Sequence, residues 1–563
     1  MTRRERLTYG FLWLVLGLLP LFLRPLWEPD EARYAEIPRE MLASHDWLTP
    51  RLNGVLYFEK PPLQYWMTAV SYKLFGLHDW VARLPLAAAT AIMLWCAWRL
   101  AKRLGARSPI WAAVMAATTV LGFIVGQIIT LDALFSALTV LTFVAAVEAV
   151  TAEMEGAAPR RWLLLEFAAL ALAFLTKGLA AAVIPGGALL LSLFYAKGRP
   201  ALRKAVLRAL FDPLGWLMAA LLAAPWFILV NRAHPGHASF FFLHEHFARF
   251  LTHEAQRQGS NNPVLDKLYF VGILAVGLLP WLSAALTGLR RSWTFARSKG
   301  PDADDGGLHR WLVGAAWMAF AWPFIFFSVS GSKLPPYILP VVVPLMALAC
   351  AFERKGEEEA SLRRTGIELI LLGTAFLAYG LVSKGLPEGA APPVLTLGAA
   401  WMAFGLWCAR PRGMSMKMLL GGLAACMLLL TLAAERVGGP SKEMASIVAA
   451  APPDAQWISL GVYRQGIPWY TRRRCVVLDG TGELAYGRER MSAADREAWL
   501  PEDREQLLPL AANLQRDGRP VAVVASPEDW DGLPAPTRGA FHEVLRTKGN
   551  VLAEFSDQPG AAR

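Results

Sequence analysis

The chain is poor in cysteine and lacks the short motifs that identify nucleotide-binding and zinc proteins. Of its five cysteines, Cys475 alone follows residue 434, so no internal disulfide can stabilise that C-terminal segment. No Walker loop, Gly-rich dinucleotide fingerprint or Cys/His zinc spacing is present. These absences exclude nucleotide-phosphate binding by the familiar routes.

Long apolar runs, in contrast, dominate the 563 residues. The composition is 55% hydrophobic, the mean hydropathy is +0.36, and 22 tryptophans are present. Tryptophan is enriched at membrane–water interfaces, and a soluble protein would rarely carry so many apolar runs. The composition therefore predicts a polytopic α-helical membrane protein.

Thirteen apolar segments are long enough to be candidate transmembrane helices. No small-x-small cleavage site precedes Glu28, so we expect the first segment to be an uncleaved span rather than a signal peptide. The predicted spans are 7–26, 81–101, 109–127, 129–150, 161–176, 178–196, 212–230, 267–289, 310–328, 336–352, 366–384, 391–409 and 416–434.

The distribution of lysine and arginine orients these spans. With a cytoplasmic N-terminus, the basic clusters fall in alternate connections, and the other turns carry only isolated lysines. An odd number of spans then places the C-terminal segment outside. The formal charge of +11 is therefore explained by cytoplasmic loops that attract anionic lipid headgroups, and nucleic-acid binding is not expected.

Three outer regions are long enough to fold: 27–80, 231–266 and the C-terminal segment 435–563. The sequence thus predicts a transmembrane domain, 1–434, carrying the first two regions as loops, and a separate α/β domain. The C-terminal segment changes composition, and we expect strands at 456–462, 474–478, 521–526 and 551–555, with a helix at 493–517.

Charged residues from distant parts of the chain gather on the predicted outer face. The first loop contains the dense stretch from Trp27 to Glu36, and charges at a membrane boundary usually mark a site or an ion pair. Such a pocket suits a phosphorylated lipid, because lysine and arginine bind phosphate. The candidate residues are Asp30, Glu31, Arg33, Tyr57, Glu59, Lys60, Asp132, Lys177, Arg249, Arg257, Lys333 and Tyr337.

Some of these residues also have structural interpretations. Asp30 and Glu31 could cap a helix that begins near Pro29, Glu59 could pair with Lys60, and Lys177 could extend its ammonium to the interface. Asp132 is harder to explain by capping, because Ser or Asn would cap at lower cost in lipid. The outward placement of the first loop favours a functional role for Asp30.

A metal site is the weakest of the functional hypotheses. Glu59, His244 and His246 are the candidate ligands, but histidines two residues apart point to different sides of a helix. No Asp-x-Asp pair lies near Asp30. We therefore expect no required cofactor, with a divalent ion such as Zn²⁺ as the alternative.

Two motifs resemble a known family. The stretch from Trp27 to Met41 and the stretch from Phe58 to Trp66, which contains Glu59-Lys60-Pro61-Pro62, are similar to the 4-amino-4-deoxy-L-arabinose lipid A transferases. These belong to the lipid-phosphate-dependent, GT-C type membrane glycosyltransferases, which include protein mannosyltransferases. The resemblance covers the acidic first loop, the number of spans and the periplasmic tail, although the tail itself is not diagnostic.

This resemblance implies the reaction. The donor would be undecaprenyl phosphate carrying aminoarabinose, and the acceptor a phosphate of lipid A at the periplasmic face of the bacterial inner membrane. Polymyxin resistance would follow. Asp30 would be the catalytic carboxylate of the first loop, with Asp132 as a second. Lys60, with Arg33, would bind the donor phosphate.

The mechanism expected from these roles is a direct displacement. A phosphate acceptor is already ionised near neutral pH, so Asp30 would position the reactants more than act as an obligatory base. Lys60 and an arginine, Arg249 or Arg257, would stabilise the leaving phosphate. Alternatives are a related polyprenyl-phosphate-sugar transferase with another acceptor, or a transporter. A transporter would favour midplane charges and internal repeats, which are not seen.

Overall fold

The computed structural model is mostly helical and describes residues 1–242, 263–297, 307–383, 385–387, 389–410, 416–438, 443–516 and 518–556. The chain divides into two compact units. The first contains residues 1–23, 60–64 and 83–434, and the second contains residues 24–59, 65–82 and 435–563.

Apolar helices make up the first unit, in which a short π-helical turn follows the N-terminal helix. The helices and helical turns of this unit, in chain order, are Arg3–Leu12, Trp13–Leu18, Leu19–Phe22, Leu84–Arg103, Ile110–Thr118, Val120–Val125, Leu131–Met154, Arg160–Lys177, Ala180–Ser192, Leu193–Ala196, Pro200–Phe211, Pro213–Ala233, His237–Ser239, Pro263–Gly277, Leu282–Arg297, Leu308–Val329, Pro335–Val341, Val342–Ala351, Glu358–Val382, Ala391–Cys408 and Met416–Val437.

Among the described residues, eight helices are long and apolar enough to cross a membrane, or nine if one bent pair is a single span. The eight are Arg3–Phe22, Leu84–Arg103, Leu131–Met154, Pro200–Ala233, Leu308–Val329, Glu358–Val382, Ala391–Cys408 and Lys417–Val437. The protein is thus a multi-pass membrane protein. Helices also occupy the remaining predicted spans, but they are shorter, broken or less apolar, so the number thirteen stays a prediction.

Two predicted spans are interrupted, and a single straight helix over either is wrong. The chain bends by 115° between helices Leu265–Gly277 and Leu282–Arg297. The bend lies around Pro280, which has no N–H to donate to a helix. Thr119 has an extended backbone, and its hydroxyl accepts from the Gly122 N–H to start a new helix within 109–127. The hydroxyl replaces the lost backbone partner at this break.

The second unit joins the first loop to the C-terminal residues. Its helices are Asp30–Ser44, Leu63–Phe75 (from Tyr65 onward), Asp79–Ala82, Met444–Ala450, Gly466–Thr471, Gly482–Leu484, Ala485–Arg488, Ala493–Trp499, Arg504–Gln506, Leu507–Gln515, Pro527–Asp531 and Ala535–Gly539. The single helix predicted over 493–517 is therefore wrong. It is interrupted at residues 500–503, where Pro501 again removes a donor.

A five-stranded sheet forms the core of this unit. Two short strands, β1 (Arg51–Leu52) and β2 (Val55–Leu56), form a separate hairpin in the first loop. The strands of the sheet are β3 (Gln456–Leu460), β4 (Val476–Leu478), β5 (Val521–Ala525), β6 (Phe541–Arg546) and β7 (Val551–Phe555). Their order is β4-β3-β5-β7-β6. Strands β4, β3 and β5 are parallel, and the last two pairings are antiparallel.

The apolar character of β5 explains its central position. All five residues of Val521–Ala525 are buried, as expected for a strand covered on both faces. Strand β6 was not predicted, because its sequence Phe-His-Glu-Val-Leu-Arg is mostly exposed and belongs to an edge of the sheet. The central place of β5 and the edge place of β6 thus agree with their apolar content.

The β1–β2 hairpin holds the first loop against the sheet. Asn53 and Gly54 form its turn, with φ of 55° and 73°, as the Asn-Gly type I′ turn requires. The Asn53 side chain donates to the Cys475 carbonyl at 2.8 Å and accepts from the Cys475 N–H at 3.0 Å. The buried Asn53 amide therefore pairs with the backbone just before β4, as a strand residue would.

A second link joins residue 28 to the C-terminal residues. The Gly466 N–H donates to the Glu28 carboxylate. Burial raises the pKa of Glu28 to about 7, with the charge of Glu483 adding to the rise and Arg464 and the Gly466 hydrogen bond opposing it. Glu28 is thus a protonation-sensitive contact within this unit.

Replacing Asn53 with Ala should loosen the hairpin contact. Both hydrogen bonds to Cys475 are lost and Ala is placed at positive φ, which together should cost about 2–3 kcal/mol locally. Hydrogen–deuterium exchange of peptides covering residues 472–480 should accelerate. Asn53→Gly, which tolerates positive φ, should accelerate exchange less. The exposed substitution Asn513→Ala should leave the exchange of these peptides unchanged. Unchanged exchange in Asn53→Ala would contradict the coupling.

Glu28 should make the stability of the protein depend on pH. Because its folded pKa lies above the unfolded value, the stability it contributes is complete below about pH 4.5 and is lost as the pH rises through about 7. The unfolding temperature of the native chain should fall more between pH 5 and 8 than that of Glu28→Gln. Glu502→Gln, an exposed carboxylate, should behave like the native chain. Parallel curves for Glu28→Gln and the native chain would refute this assignment.

Candidate active site

The first turn of helix Asp30–Ser44 presents two carboxylates in very different environments. Asp30 is 51% exposed, whereas the Glu31 side chain is fully buried. Negative charge is stabilised near a helix N-terminus, which explains why the helix begins at these residues. The buried Glu31 and the half-exposed Asp30 are therefore suited to different roles.

Glu31 is saturated by its protein partners. One of its oxygens accepts from Arg24 Nη2 at 2.9 Å, the other pairs with Arg24 Nη1, and the Trp27 N–H donates to that second oxygen at 3.0 Å. The Arg24 guanidinium also lies 4.3 Å from the centre of the Trp27 ring. Buried charges are stable only when paired in this way, so Glu31 anchors the start of the helix.

Asp30 belongs to an ion-pair chain that we term the loop–tail cluster: Asp30, Arg33, Glu483 and Gln465. Arg33 Nη1 donates to Asp30 Oδ1 at 3.1 Å, and Arg33 Nε lies 2.5 Å from Glu483 Oε2. The other Glu483 oxygen accepts from Gln465 Nε2 at 2.5 Å. One buried guanidinium thus bridges a first-loop carboxylate and a C-terminal carboxylate.

The electrostatics of Arg33 follow from these contacts. Burial alone would lower its pKa, but the acidic groups around it, Glu483 and Asp30 among them, hold the pKa above its usual value. The guanidinium therefore remains charged. Arg33 shares its charge between Glu483 and one oxygen of Asp30. The half-exposed Asp30 carboxylate therefore keeps its other oxygen for further partners.

Two tyrosines beside this cluster have unsatisfied hydroxyls. Tyr57 and Tyr65 are buried, and their hydroxyl oxygens have no hydrogen-bond partner within the described part of the chain. Burial raises the pKa of Tyr57, and the Glu59 carboxylate raises it further, so the hydroxyl stays protonated. An unpaired buried hydroxyl is costly, so each of these two hydroxyls needs an explanation, such as a catalytic or binding role.

A separate group, the helix-end cluster, consists of Asp132, Lys177 and Tyr337. Asp132 lies in the first turn of Leu131–Met154, and Lys177 ends Arg160–Lys177. These helices pack together, and opposite charges at opposite helix ends are favourable. The two side chains form an ion pair, and Lys177 Nζ lies 4.1 Å from the centre of the Tyr337 ring.

Lys333 pairs elsewhere in the same unit. Its ammonium lies 2.6 Å from Asp266 Oδ2 and donates to the Ser330 carbonyl at 2.7 Å, although the residue is only 1% exposed. Lys177 and Lys333 thus each have a carboxylate partner.

The remaining predicted residues are placed less completely. Glu59 and Lys60 are half-buried in the bend before helix Leu63–Phe75. Arg249, Arg257, His244 and His246 lie outside the described residues. Within the part of the chain that is described, no group of three His, Cys, Asp or Glu residues could hold a metal ion.

Three charged residues were missed by the sequence reasoning. Arg24 is a basic residue on the predicted outer side of the first span, and this departure from the charge rule was a usable signal. Asp266 is an isolated acid in the first turn of Pro263–Gly277. Glu483 gives no signal, because nothing local distinguishes it from other acids of the C-terminal region.

Known proteins share this sequence and fold. Residues 59–229 match the dolichyl-phosphate-mannose-protein mannosyltransferase family. The crystal structure of ArnT from Cupriavidus metallidurans bound to undecaprenyl phosphate superposes with a TM-score of 0.79 at 26% identity, covering 100% of both chains. The apo oligosaccharyltransferase of Archaeoglobus fulgidus, at 13% identity and a TM-score of 0.51, shares the fold, covering 93% of this chain and 70% of its own.

Sequence relatives extend over nearly the whole chain. An undecaprenyl phosphate-α-4-amino-4-deoxy-L-arabinose arabinosyl transferase from Edwardsiella ictaluri is 32% identical over 556 residues, covering 91% of this chain and 94% of the relative. An undecaprenyl phosphate-α-4-amino-4-deoxy-L-arabinose arabinosyl transferase 1 from Sodalis glossinidius is 30% identical, and the match covers 86% of this chain and 88% of the relative. The chain therefore belongs to the undecaprenyl phosphate-α-4-amino-4-deoxy-L-arabinose arabinosyl transferase family.

Proposed function

We propose that this protein transfers 4-amino-4-deoxy-L-arabinose from undecaprenyl phosphate to a phosphate of lipid A. The observation that carries the proposal is the 32% identity to a named arabinosyl transferase over 91% of the chain. A homologous structure bound to undecaprenyl phosphate supports the identity of the carrier. The added amine would reduce the negative charge of lipid A and so protect the cell from polymyxin and other cationic peptides.

The proposed setting is the periplasmic face of the inner membrane. Thirteen spans, a cytoplasmic N-terminus and a periplasmic C-terminal α/β domain at 435–563, after a transmembrane domain at 1–434, agree with the distribution of basic residues. Both clusters then belong to segments on the outer face. This is where a lipid-linked sugar and lipid A would be accessible.

Asp30 is the residue we assign to the reacting groups. Its carboxylate is half exposed, and its contact with Arg33 leaves an oxygen available. In the proposed role it orients the acceptor phosphate, takes any remaining proton from it, or pairs with the ammonium of the sugar. Arg33 was predicted from the sequence as a donor-phosphate ligand. Because it pairs with both Asp30 and Glu483, we propose that it positions Asp30 together with Glu483. Glu31, although proposed from the sequence as a substrate ligand, is better suited to positioning because Arg24 saturates it.

Lys60 is the proposed ligand of the donor phosphate, with Arg249 and Arg257 as further candidates in the outer loop. A lysine provides a compact positive charge that suits a phosphate leaving group. As the glycosidic bond breaks, negative charge grows on that phosphate, so a fixed cation lowers the barrier more than it strengthens ground-state binding.

Sugar binding is assigned to the remaining groups. The unpaired Tyr57 hydroxyl can donate to a sugar oxygen, and Glu59 can accept from a hydroxyl or an ammonium. Asp132 stays the second proposed catalytic carboxylate. Lys177 and Tyr337 beside it offer an ammonium and an aromatic face, and Lys333 adds a further cation. We propose no required cofactor. A metal held by Glu59, His244 and His246 is the alternative.

The proposed reaction is a single displacement. An oxygen of the lipid A phosphate forms a bond to the anomeric carbon, and the bond from that carbon to the carrier phosphate oxygen breaks. The electron pair leaves with undecaprenyl phosphate, and the anomeric configuration inverts. A double displacement would need a protein nucleophile, and we assign none.

The function is tested with the purified chain in lipid vesicles that contain undecaprenyl-phosphate-linked aminoarabinose and lipid A. Mass spectrometry should show lipid A gaining one aminoarabinose, together with release of undecaprenyl phosphate. Unmodified lipid A in the presence of an intact donor would reject the proposal.

Asp30→Asn should reduce transfer at least about 100-fold, the scale expected when a positioned acid–base group is removed. The variant should keep the unfolding temperature of the native chain, because Asp30 is half exposed. Asp454→Asn, an exposed substitution of the same type, should retain full activity. Near-normal transfer by Asp30→Asn would remove Asp30 from the mechanism.

A further inference from the structure

A concave groove of about 1110 Å³ lies in the C-terminal region, beside the edge strand β4. It is bounded by residues of β3 and β4, by helix Ala493–Trp499 and by helix Leu507–Gln515. Ligand pockets for small molecules have volumes of roughly 300–1,000 Å³. The groove is therefore large enough for a ligand of oligosaccharide size.

Positive charge is concentrated in this groove. Arg473, Arg474, Arg516 and Arg519 line it, and Glu497 is the only carboxylate among its described lining residues. The segment 435–563 as a whole carries 16 Lys and Arg residues against 18 Asp and Glu residues. The groove is thus a basic site within a slightly acidic segment.

Three of these arginines make no ion pair with any residue that the structure describes. Arg473, Arg516 and Arg519 are exposed and have no carboxylate partner within the described residues. Several other arginines of the same region are paired: Arg504 with Asp479 and Asp529, Arg488 with Glu502, and Arg546 with Asp531 and Glu543. Unpaired like charges repel one another, so their grouping favours an anionic ligand.

Arg474 is held in a fixed orientation. Its guanidinium lies 4.0 Å from the centre of the Trp499 ring, and its Nε donates to the Asn53 carbonyl at 2.9 Å. A planar guanidinium that is already oriented can bind phosphate or carboxylate through two hydrogen bonds with little loss of entropy. Arg474 thus provides a fixed anchor beside three exposed cations.

Amide side chains add a second type of contact. Gln506 and Asn513 also line the groove. Amides both donate and accept hydrogen bonds, which suits sugar hydroxyls. Cations together with amides therefore indicate a saccharide that carries acidic groups, rather than a bare inorganic anion.

We infer that this groove binds the anionic saccharide of the acceptor glycolipid. The inference rests on the proposed function, because lipid A is the acceptor in that reaction. Two sources provide the same chemistry: the phosphorylated disaccharide of lipid A, and acidic sugars attached to it. In either case the groove recruits the acceptor and takes no part in bond making.

The test measures binding of the glycolipid to the full chain in nanodiscs without donor. Arg473→Gln/Arg516→Gln/Arg519→Gln should weaken binding about tenfold or more, equal to roughly 1.4 kcal/mol, and raise the acceptor KM while the donor KM stays unchanged. The control is Arg490→Gln/Arg538→Gln/Arg546→Gln, in which the replaced arginines already pair with carboxylates. It should bind like the native chain.

The charge-conserving variant Arg473→Lys/Arg516→Lys/Arg519→Lys reports on folding and geometry. It should recover part of the lost affinity, because lysine keeps the positive charge but cannot form the bidentate hydrogen bonds of arginine. Equal affinity of the native chain and the Gln triple variant would overturn the inference. An equal loss of affinity in the control triple variant would also overturn it, because the net positive charge of the region, rather than the groove, would then explain binding.

Two glycolipids distinguish the sources of the ligand. Loss of affinity for lipid A alone assigns the groove to its phosphates, whereas loss only for lipid A bearing further acidic sugars assigns it to those sugars. Because binding is measured without donor, the result is independent of sugar transfer. A chain that binds through the groove but transfers no aminoarabinose would reject the proposed function and leave the groove assignment standing.

Discussion

The Arg33 guanidinium, shared between Asp30 and Glu483, is the interaction on which the loop–tail cluster depends. A buried arginine is tolerated only when its charge is compensated, and here the two compensating carboxylates lie 453 positions apart in the chain. The first loop and the C-terminal residues therefore fold as one compact unit. The same pairing leaves Asp30 exposed at the start of its helix and fixes where its carboxylate lies.

Pairing of charges also separates structural from chemical roles. Glu31 is fully buried and already accepts hydrogen bonds from Arg24 and the Trp27 N–H, so it is poorly placed to contact a substrate. Asp30 and the Tyr57 hydroxyl differ, because one is half exposed and the other is buried without a partner in the described residues. Unsatisfied groups of this kind are where a ligand gains the most from binding.

Local patterns in the sequence were sufficient to predict much of the fold. Apolar runs predicted the helices, and β3, β4, β5 and β7 were predicted because they are rich in apolar residues. The breaks near Thr119 and Pro280 were missed, because hydropathy averages over a kink. The edge strand β6 was missed because most of its residues are exposed, and an apolar sequence pattern marks only strands that are buried.

Long-range pairings were harder to predict than local structure. The charge rule placed Asp132 and Lys177 on the same predicted face, and the packing of their helices explains why they meet. The partners Arg24, Asp266 and Glu483 were not predicted, since each pair depends on tertiary contacts that no local pattern encodes. The grouping of residues 24–59 and 65–82 with the C-terminal region has the same cause.

The turnover rate of Glu483→Gln tests most directly whether the C-terminal region positions the reacting carboxylate. With Glu483 neutral, Arg33 can turn fully toward Asp30 and draw its carboxylate away from the acceptor. Transfer should therefore slow about tenfold or more, the scale expected from misplacing a reacting group, with the donor KM little changed. Exposed Glu528→Gln serves as the control. A turnover rate equal to that of the native chain would contradict the account.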